Sequence, residues 1–237
     1  MLSVVMPAFN ESALLQTSVR DVVEGIRGWG VDFEVIVVEN GSTDETASIA
    51  DGLERALVEV RAQHLPEANY GNALRSGLLL ASGDVVVTFD VDYYDLHFLK
   101  QALGLMDTSS HDDPVAIVVA SKRAVGARDE RAPLRRLATA VFDAILRLTF
   151  RIRTSDTHGM KVLRRAPLLS FASMCRAGPD LFDTELVIRA ERAGMRVEEI
   201  PVTVIERRPS RTPILLRVPR TLVGLVRLRL ALSNEAR

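Results

Sequence analysis

The sequence predicts an α/β fold with a mostly parallel central sheet flanked by helices. Three observations predict it. Short β-branched apolar runs alternate with amphipathic segments at helical spacing as far as residue 121. The runs are apolar at almost every position, as in strands buried on both faces. Three of them stop in polar, acidic segments, PAFNE, ENGSTDE and DVDYYD. In parallel sheets ligands sit beyond the carboxyl ends of the strands, so these three segments are expected side by side at one edge.

In chain order, Leu2–Met6 is a short apolar run ended by Pro7 and reads as the first buried strand. Asn10-Glu11-Ser12 supplies helix-start chemistry, and Ala13 to Ile26 has helical spacing. Phe33–Val38 is the second strand, and Glu39 to Asp44 a polar turn before a helix from Glu45 to Leu57. Val58–Leu65 reads as a third strand, Asn69 to Asn72 as a turn, and Ala73 to Ala81 as a helix stopped by Ser82-Gly83. Asp84–Phe89 is the fourth strand, Asp95 to Met106 a helix, and Ala116–Ser121 the fifth strand. Right-handed crossovers then follow. Beyond it, Lys122 to Arg136 reads as an exposed loop and Leu134 to Phe150 as a helix with Leu134, Leu137, Val141, Ile145 and Leu148 along one side. Thr154–Gly159 is a turn, Met160–Leu163 a short strand, Phe182 to Ala193 a helix closed by Gly194, and Arg196–Ile205 an alternating strand. The tail from Pro213 to Leu232 is rich in Leu, Val and Arg.

Composition narrows the functions. With 237 residues and 47% hydrophobic, the chain can bury one substantial core. Cys175 is the only cysteine, so no internal disulfide or Cys/His zinc cluster is expected, and a buried thiol is the simplest reading. The amino terminus has no basic and apolar leader, and no run of about 18 uncharged apolar residues is present, so neither a signal peptide nor a membrane span is expected. Residues 1–119 carry 6 Lys+Arg against 19 Asp+Glu, a net −13, whereas residues 120–237 carry 24 against 12, a net +12. The acidic half suits cations and the basic half anions such as phosphates or lipid headgroups; mutual attraction of the halves is the alternative. Nucleic acid is not an expected partner, because aromatics total 5% and do not interleave with the basic residues.

Asp90 and Asp92 stand two apart at the end of the fourth strand, and in an extended segment would share one face. Two such carboxylates repel. A hard divalent cation, Mg²⁺ or Mn²⁺, reverses that balance and takes one or two carboxylates together with substrate phosphates. The alternative is a solvated loop with Asp95 capping the next helix.

Together, the P-x-x-N-E after strand one, the acidic turn with S-x-D-x-T after strand two, and DxD after strand four resemble the family-2 inverting glycosyltransferases of GT-A fold. Asn69 to Gly77 and Ser82-Gly83-Asp84 match as well, so the likeness covers about the first 123 residues. Ser121-Lys122-Arg123, the segment Asp156 to Arg165, Phe182-Asp183-Thr184-Glu185-Leu186, the run Val197 to Val202, and Arg208-Pro209-Ser210-Arg211 are similar to segments of dolichyl- or polyprenyl-phosphate mannose and glucose synthases.

The resemblance implies a GT-A catalytic domain over residues 1–212, with a nucleotide-sugar half, 1–121, and an acceptor half, 122–212. A basic amphipathic helix would occupy 213–237. It implies transfer of a hexose from GDP-mannose or UDP-glucose to a polyprenyl phosphate, by an enzyme held peripherally on the cytoplasmic membrane face. The donor would meet Pro7, Phe9, Asn10, Glu11, Glu39, Ser42, Asp44, Gly71 and Asp90. Asp90 and Asp92 would hold Mg²⁺ or Mn²⁺. The family's third metal position falls at Tyr94, leaving Asp95 as a substitute or a helix cap. Asp183 and Glu185 are the candidate bases for an alcohol acceptor. Arg123, Arg135, Arg208 and Arg211 would grip an acceptor phosphate, with His158 either joining them or bonding within its turn. Two alternatives remain: the same transfer to a soluble or saccharide hydroxyl acceptor, and a nucleotide-sugar-binding protein with altered catalysis.

Overall fold

The computed structural model describes residues 1–110, 112–175, 178, 180–204 and 214–235, with the side chains of residues 135 and 214–220 outside the description. The first half alternates as expected: β1 (Leu2–Ala8), α1 (Leu15–Arg27), β2 (Phe33–Asn40), α2 (Thr46–Ala56), β3 (Val60–Leu65), α3 (Tyr70–Leu80), β4 (Val85–Thr88), α4 (Leu96–Thr108) and β5 (Val115–Ser121). The second half contains β6 (Arg128–Asp129), α5 (Pro133–Phe150), β7 (Lys161–Arg164), α6 (Arg165–Met174), α7 (Phe182–Arg192), β8 (Arg196–Pro201), β9 (Thr203–Val204) and α8 (Ile214–Glu235). The stretch expected to be a plain loop before α5 thus carries β6, which pairs with β9, and α6 was not foreseen.

One seven-stranded sheet runs β3-β2-β1-β4-β7-β5-β8. It is parallel except for β7, which lies antiparallel between β4 and β5. Both halves of the sequence therefore share one sheet. The chain leaves β1 first toward β2 and β3, then returns to place β4 on its other side. The reversal of strand order opens a crevice at the carboxyl ends of β1 and β4, the usual ligand position in such sheets.

Helix periodicity sets the layers. In α1, Leu15, Val19, Val22, Val23 and Ile26 recur at helical spacing and are fully buried. They join α4 residues Phe98, Leu99 and Ala102 on one face of the sheet. On the other face α3, α6 and α7 contribute Leu74, Leu78, Leu168, Ala172, Leu186 and Val187. Full burial of such side chains contributes about 1.5–3 kcal/mol each. A third cluster joins Leu146 and Phe150 of α5, Ile188 of α7, and Leu225, Leu228 and Leu232 of α8. There Arg189 is bonded to Glu185, at 2.9 Å, and to Glu235, at 2.7 Å, tying α8 to α7.

Candidate active site

The carboxyl ends of β1 and β2 form an interlocked cradle. Asn10 adopts φ 54°, a left-handed conformation that Asn tolerates better than most residues. Its backbone N–H donates to Ser42 Oγ at 3.0 Å, and its Oδ1 accepts the Thr43 N–H at 2.8 Å. Glu11 N–H donates to Thr46 Oγ1 at 2.8 Å. Asp44 accepts from Ser12 N–H and from Thr46. Desolvation would raise Asp44, but these bonds hold it at about 2. Glu39 is buried and its Oε1 accepts the Ser42 N–H at 2.5 Å. Gly41, at φ +67°, makes the turn that carries Ser42 back toward Asn10. Pro7 sits within β1, which continues to Ala8 rather than stopping, and Gly71 is buried in the first turn of α3. Phe9 is half-buried at the strand end.

Beyond β4 the acidic segment is a turn, not the extended strand that the two-residue spacing suggested. Asp90 and Tyr93 exchange backbone hydrogen bonds at 3.2 and 3.1 Å. Val91 is buried in the core, and Ser18 Oγ of α1 donates to its carbonyl at 2.7 Å. Burying Val91 holds both flanking carboxylates at the crevice. Tyr70 Oη donates to Asp90 Oδ1 at 2.8 Å. Loss of solvent lifts Asp90 to about 6; the Tyr70 bond opposes the rise, and the charges of Asp92 and Asp183 add to it. Asp95 caps α4, accepting from His97 and Phe98 N–H at 2.8 and 3.1 Å, so its capping reading is the one observed. Tyr94 Oη is bonded to Asp21 of α1.

Asp183, at the start of α7, faces this cluster and pairs with Lys161 Nζ at 3.1 Å. Lys161 is fully buried on β7 and also donates to the Gly159 carbonyl at 2.8 Å. Glu185 is not brought to the cluster. It stands two residues along α7, on a different face, buried and bonded to Arg189. Asp183 is therefore the candidate carboxylate base that the fold places at the crevice.

The turn before β7 is clamped from β8: Glu199 accepts from Ser155 and Asp156 N–H. Asp156, buried, accepts Lys122 Nζ at 2.7 Å and His158 N–H at 2.9 Å. His158 Nε2 lies 3.2 Å from the Asp180 carbonyl, and its ring meets Phe142 of α5 edge-on at 5.0 Å. Desolvation and the charge of Lys122 lower its pKa. Along α5 lies a pocket of about 330 Å³ lined by Arg123, Ala140, Asp143, Ala144, Arg147 and Leu148. Arg123 Nε stands 3.5 Å from Asp143 Oδ2, an oxygen with no hydrogen-bond partner. Burial and repulsion from Asp156 push Asp143 up to about 7. Arg208 and Arg211 lie outside the described residues, and Arg135 falls in α5 with its side chain outside the description.

Sequence reasoning did not single out Lys161, Tyr70, Asp143 or Arg147. Lys161 and Tyr70 stand inside the matched segments, but a lysine in a strand carries no sign of full burial until its neighbours are placed. Asp143 carried no signal beyond a charge on an otherwise apolar helix.

Among the described residues no group of three or more His, Cys, Asp or Glu is preassembled to hold a metal ion. Two carboxylates, one lifted by loss of solvent and by its acidic neighbours, suit a dication whose other ligands come from a diphosphate.

The chain is 31% identical to the glycosyltransferase AglD of Haloferax volcanii over 206 residues, covering 85% of this chain and 32% of AglD, so it spans about a third of that relative's length. It is 30% identical over 210 residues to an uncharacterized glycosyltransferase of Mycobacterium tuberculosis, covering 85% of this chain and 84% of that one. The dolichyl-phosphate beta-glucosyltransferase of Saccharomyces cerevisiae is 25% identical over 221 residues, 85% of this chain and 66% of that one. The fold is shared with glucosyl-3-phosphoglycerate synthase of M. tuberculosis, crystallised with Mn²⁺, uridine diphosphate and phosphoglyceric acid, at a TM-score of 0.71 and 23% identity over 97% of this chain and 78% of that one. The GT-A arrangement expected from the sequence is thus the one observed. Residues 3–170 match glycosyl transferase family 2 throughout, and the chain belongs to that family of glycosyltransferases.

Proposed function

We propose that this glycosyltransferase moves a hexose from a nucleotide-diphosphate sugar to a polyprenyl phosphate, working peripherally at a membrane face with Mg²⁺ or Mn²⁺. The observation that carries the acceptor reading is the pocket beside α5. It presents two guanidinium groups, Arg123 and Arg147, and its wall residue Leu148 belongs to an exposed apolar stripe with Leu134, Leu137 and Val141. An anionic head meeting cations and a long apolar tail meeting Leu and Val is the complement of that surface.

Asp90 and Asp92 would hold the metal against the donor diphosphate. The cation supplies charge neutralisation as negative charge gathers on the leaving diphosphate. Glu39 and Ser42 would orient the nucleoside. Arg123 and Arg147 would hold the acceptor phosphate, one of whose oxygens forms the new bond to the anomeric carbon as the bond to the diphosphate breaks, with inversion. A phosphate is already anionic, so no base is required of Asp183, whose carboxylate lies 3.1 Å from Lys161 Nζ. For an alcohol acceptor Asp183 would take the proton.

A second reading rests on the same two arginines. A soluble phosphorylated acid would fit them too, and the structural neighbour is crystallised with phosphoglyceric acid. Offering labelled UDP-glucose and GDP-mannose with polyprenyl phosphate in detergent, then with 3-phosphoglycerate and free sugars, separates the readings. Lipid-soluble product is expected; product found only in the aqueous set retires the lipid acceptor. Asp92→Ala is expected to abolish Mn²⁺-dependent stabilisation by the nucleotide in a thermal-shift assay with Tm otherwise unchanged. An unaltered shift would remove the metal assignment.

A further inference from the structure

At the open edge of the sheet, β2 and β3 place Glu39 and His64 in direct register. His64 Nδ1 lies 3.2 Å from Glu39 Oε2, and Nε2 lies 2.8 Å from Asp51 Oδ1 on α2. A neutral imidazole has one N–H; two ring nitrogens each meeting a carboxylate is the pattern of the protonated ring. Desolvation would lower the His64 pKa, but bonds to Asp51 and Glu39 raise it above its ordinary 6.5. The other oxygen of Glu39 already accepts the Ser42 N–H. Both oxygens of this buried carboxylate are therefore oriented by fixed donors, one from the turn after β2 and one from His64.

We infer that His64, anchored by Asp51, is a positioning residue that holds Glu39 in the orientation in which it accepts a hydrogen bond from the donor's nucleoside. The inference rests on the reading of Glu39 as a nucleoside contact. Among the described residues the charged groups facing the ring are Glu39 from β2 and Asp51 from α2, and no strand packs beyond β3. When the ring loses a proton, the remaining N–H stays on Nε2, whose 2.8 Å bond to Asp51 is shorter than the 3.2 Å bond to Glu39; Nδ1 becomes an acceptor opposed to a carboxylate, and the clasp on Glu39 opens. The sign follows. The clasp is complete while His64 is protonated and is lost as pH rises through its raised pKa, so donor affinity is highest on the acid side of that value.

Calorimetric titration of UDP and of GDP with Mn²⁺, from pH 6.5 to about pH 9, tests this. The wild-type protein is expected to bind one of them about tenfold more weakly at the alkaline end, the loss of roughly one charge-assisted hydrogen bond. His64→Gln, whose single amide nitrogen cannot replace both ring nitrogens and whose amide oxygen only accepts, is expected to bind weakly throughout, with a flat pH profile and a near-normal Tm. In turnover it raises the donor KM and leaves kcat nearly unchanged. A merely structural tie between α2 and the sheet would instead lower Tm and leave the pH profile of binding as in the wild type, and that result overturns the inference. Wild-type affinity in His64→Gln overturns it too. Glu39→Gln separates the two levels: if it loses affinity while His64→Gln does not, only the positioning role falls. If Glu39→Gln binds normally, or neither nucleotide binds the wild type, the nucleoside reading of Glu39 falls and the inference with it.

Discussion

Four carboxylates near the crevice meet different partners, and the partner sets the role of each. Asp44 accepts bonds from Ser12, in the segment after β1, and from Thr46, and is held at about 2, which makes it a fixed brace within the cradle. Asp183 has a buried lysine. Asp90 has a tyrosine hydroxyl and two repelling carboxylates, which leaves it suited to a cation. Asp143 has an oxygen with no hydrogen bond, set between Arg123 and the charge of Asp156. Its pKa is raised to about 7, so Asp143 is neutral below that pH and charged above it. If the proposed acceptor phosphate binds there, the charged form would compete with it for Arg123 and repel it. The acceptor KM is expected to rise several-fold above pH 7, and Asp143→Asn to remove that rise while leaving the donor KM unchanged. Kinetics at fixed saturating donor across pH 6–9 measure it. The DxD pair was legible in the sequence because its spacing and its place after an apolar run are local. The Asp183–Lys161 pair joins residues 22 positions apart. Its existence depends on β7 entering the sheet beside β4.

At the level of elements, the turn between Thr154 and Gly159 connects the most. Glu199 of β8 holds it from one side, Thr184 of α7 bonds Thr157 from another, and His158 reaches Phe142 of α5. Gly159 lies where a Cβ would stand 2.5 Å from the Ala120 carbonyl oxygen of β5. That neighbour is backbone and cannot yield by changing rotamer. Gly159→Ala is expected to destabilise the fold by about 1–3 kcal/mol, the usual range for overpacking, and to lower activity further by shifting Lys161 and His158. Urea unfolding and kcat/KM together check it. The regular β-α alternation was readable because each buried strand is a continuous apolar run and each helix an amphipathic one. The antiparallel insertion of β7 and the short β6-β9 pair were not, since four-residue and two-residue strands carry too little pattern to fix a direction or a partner. The split of Asp183 from Glu185 was readable in principle from helical geometry. Which of the two meets the crevice was not.

Across the whole molecule, the oppositely charged halves share one sheet, and the basic half holds two helices, α5 and α8, that pack on each other through Leu146, Leu225 and their neighbours. Each helix keeps an apolar stripe in solvent: Leu134, Leu137, Val141 and Leu148 on α5, and Leu222, Val223, Val226 and Leu230 on α8. Arg227 and Arg229 are exposed beside the second stripe. Among the described residues no helix is long and apolar enough to cross a membrane. A basic, apolar face of this kind would suit the interface of an anionic bilayer, as proposed above. The chain is expected to sediment with phosphatidylglycerol vesicles, and the double variant Leu137→Glu/Val226→Glu to lose at least about tenfold in partitioning, each Glu removing roughly 1.5–3 kcal/mol of apolar contact. The variant should keep its Mn²⁺-dependent UDP binding; unchanged sedimentation would remove the lipid face. The sequence by itself determined the alternating α/β order, the polar strand ends and the family, because these are written in local periodicity and short motifs. Only the tertiary structure decided which carboxylate faces the crevice, that Lys161 is buried opposite it, and that α5 turns Leu134, Leu137 and Leu148 outward while burying Leu146. Each of those depends on which distant side chains exclude water from the same volume.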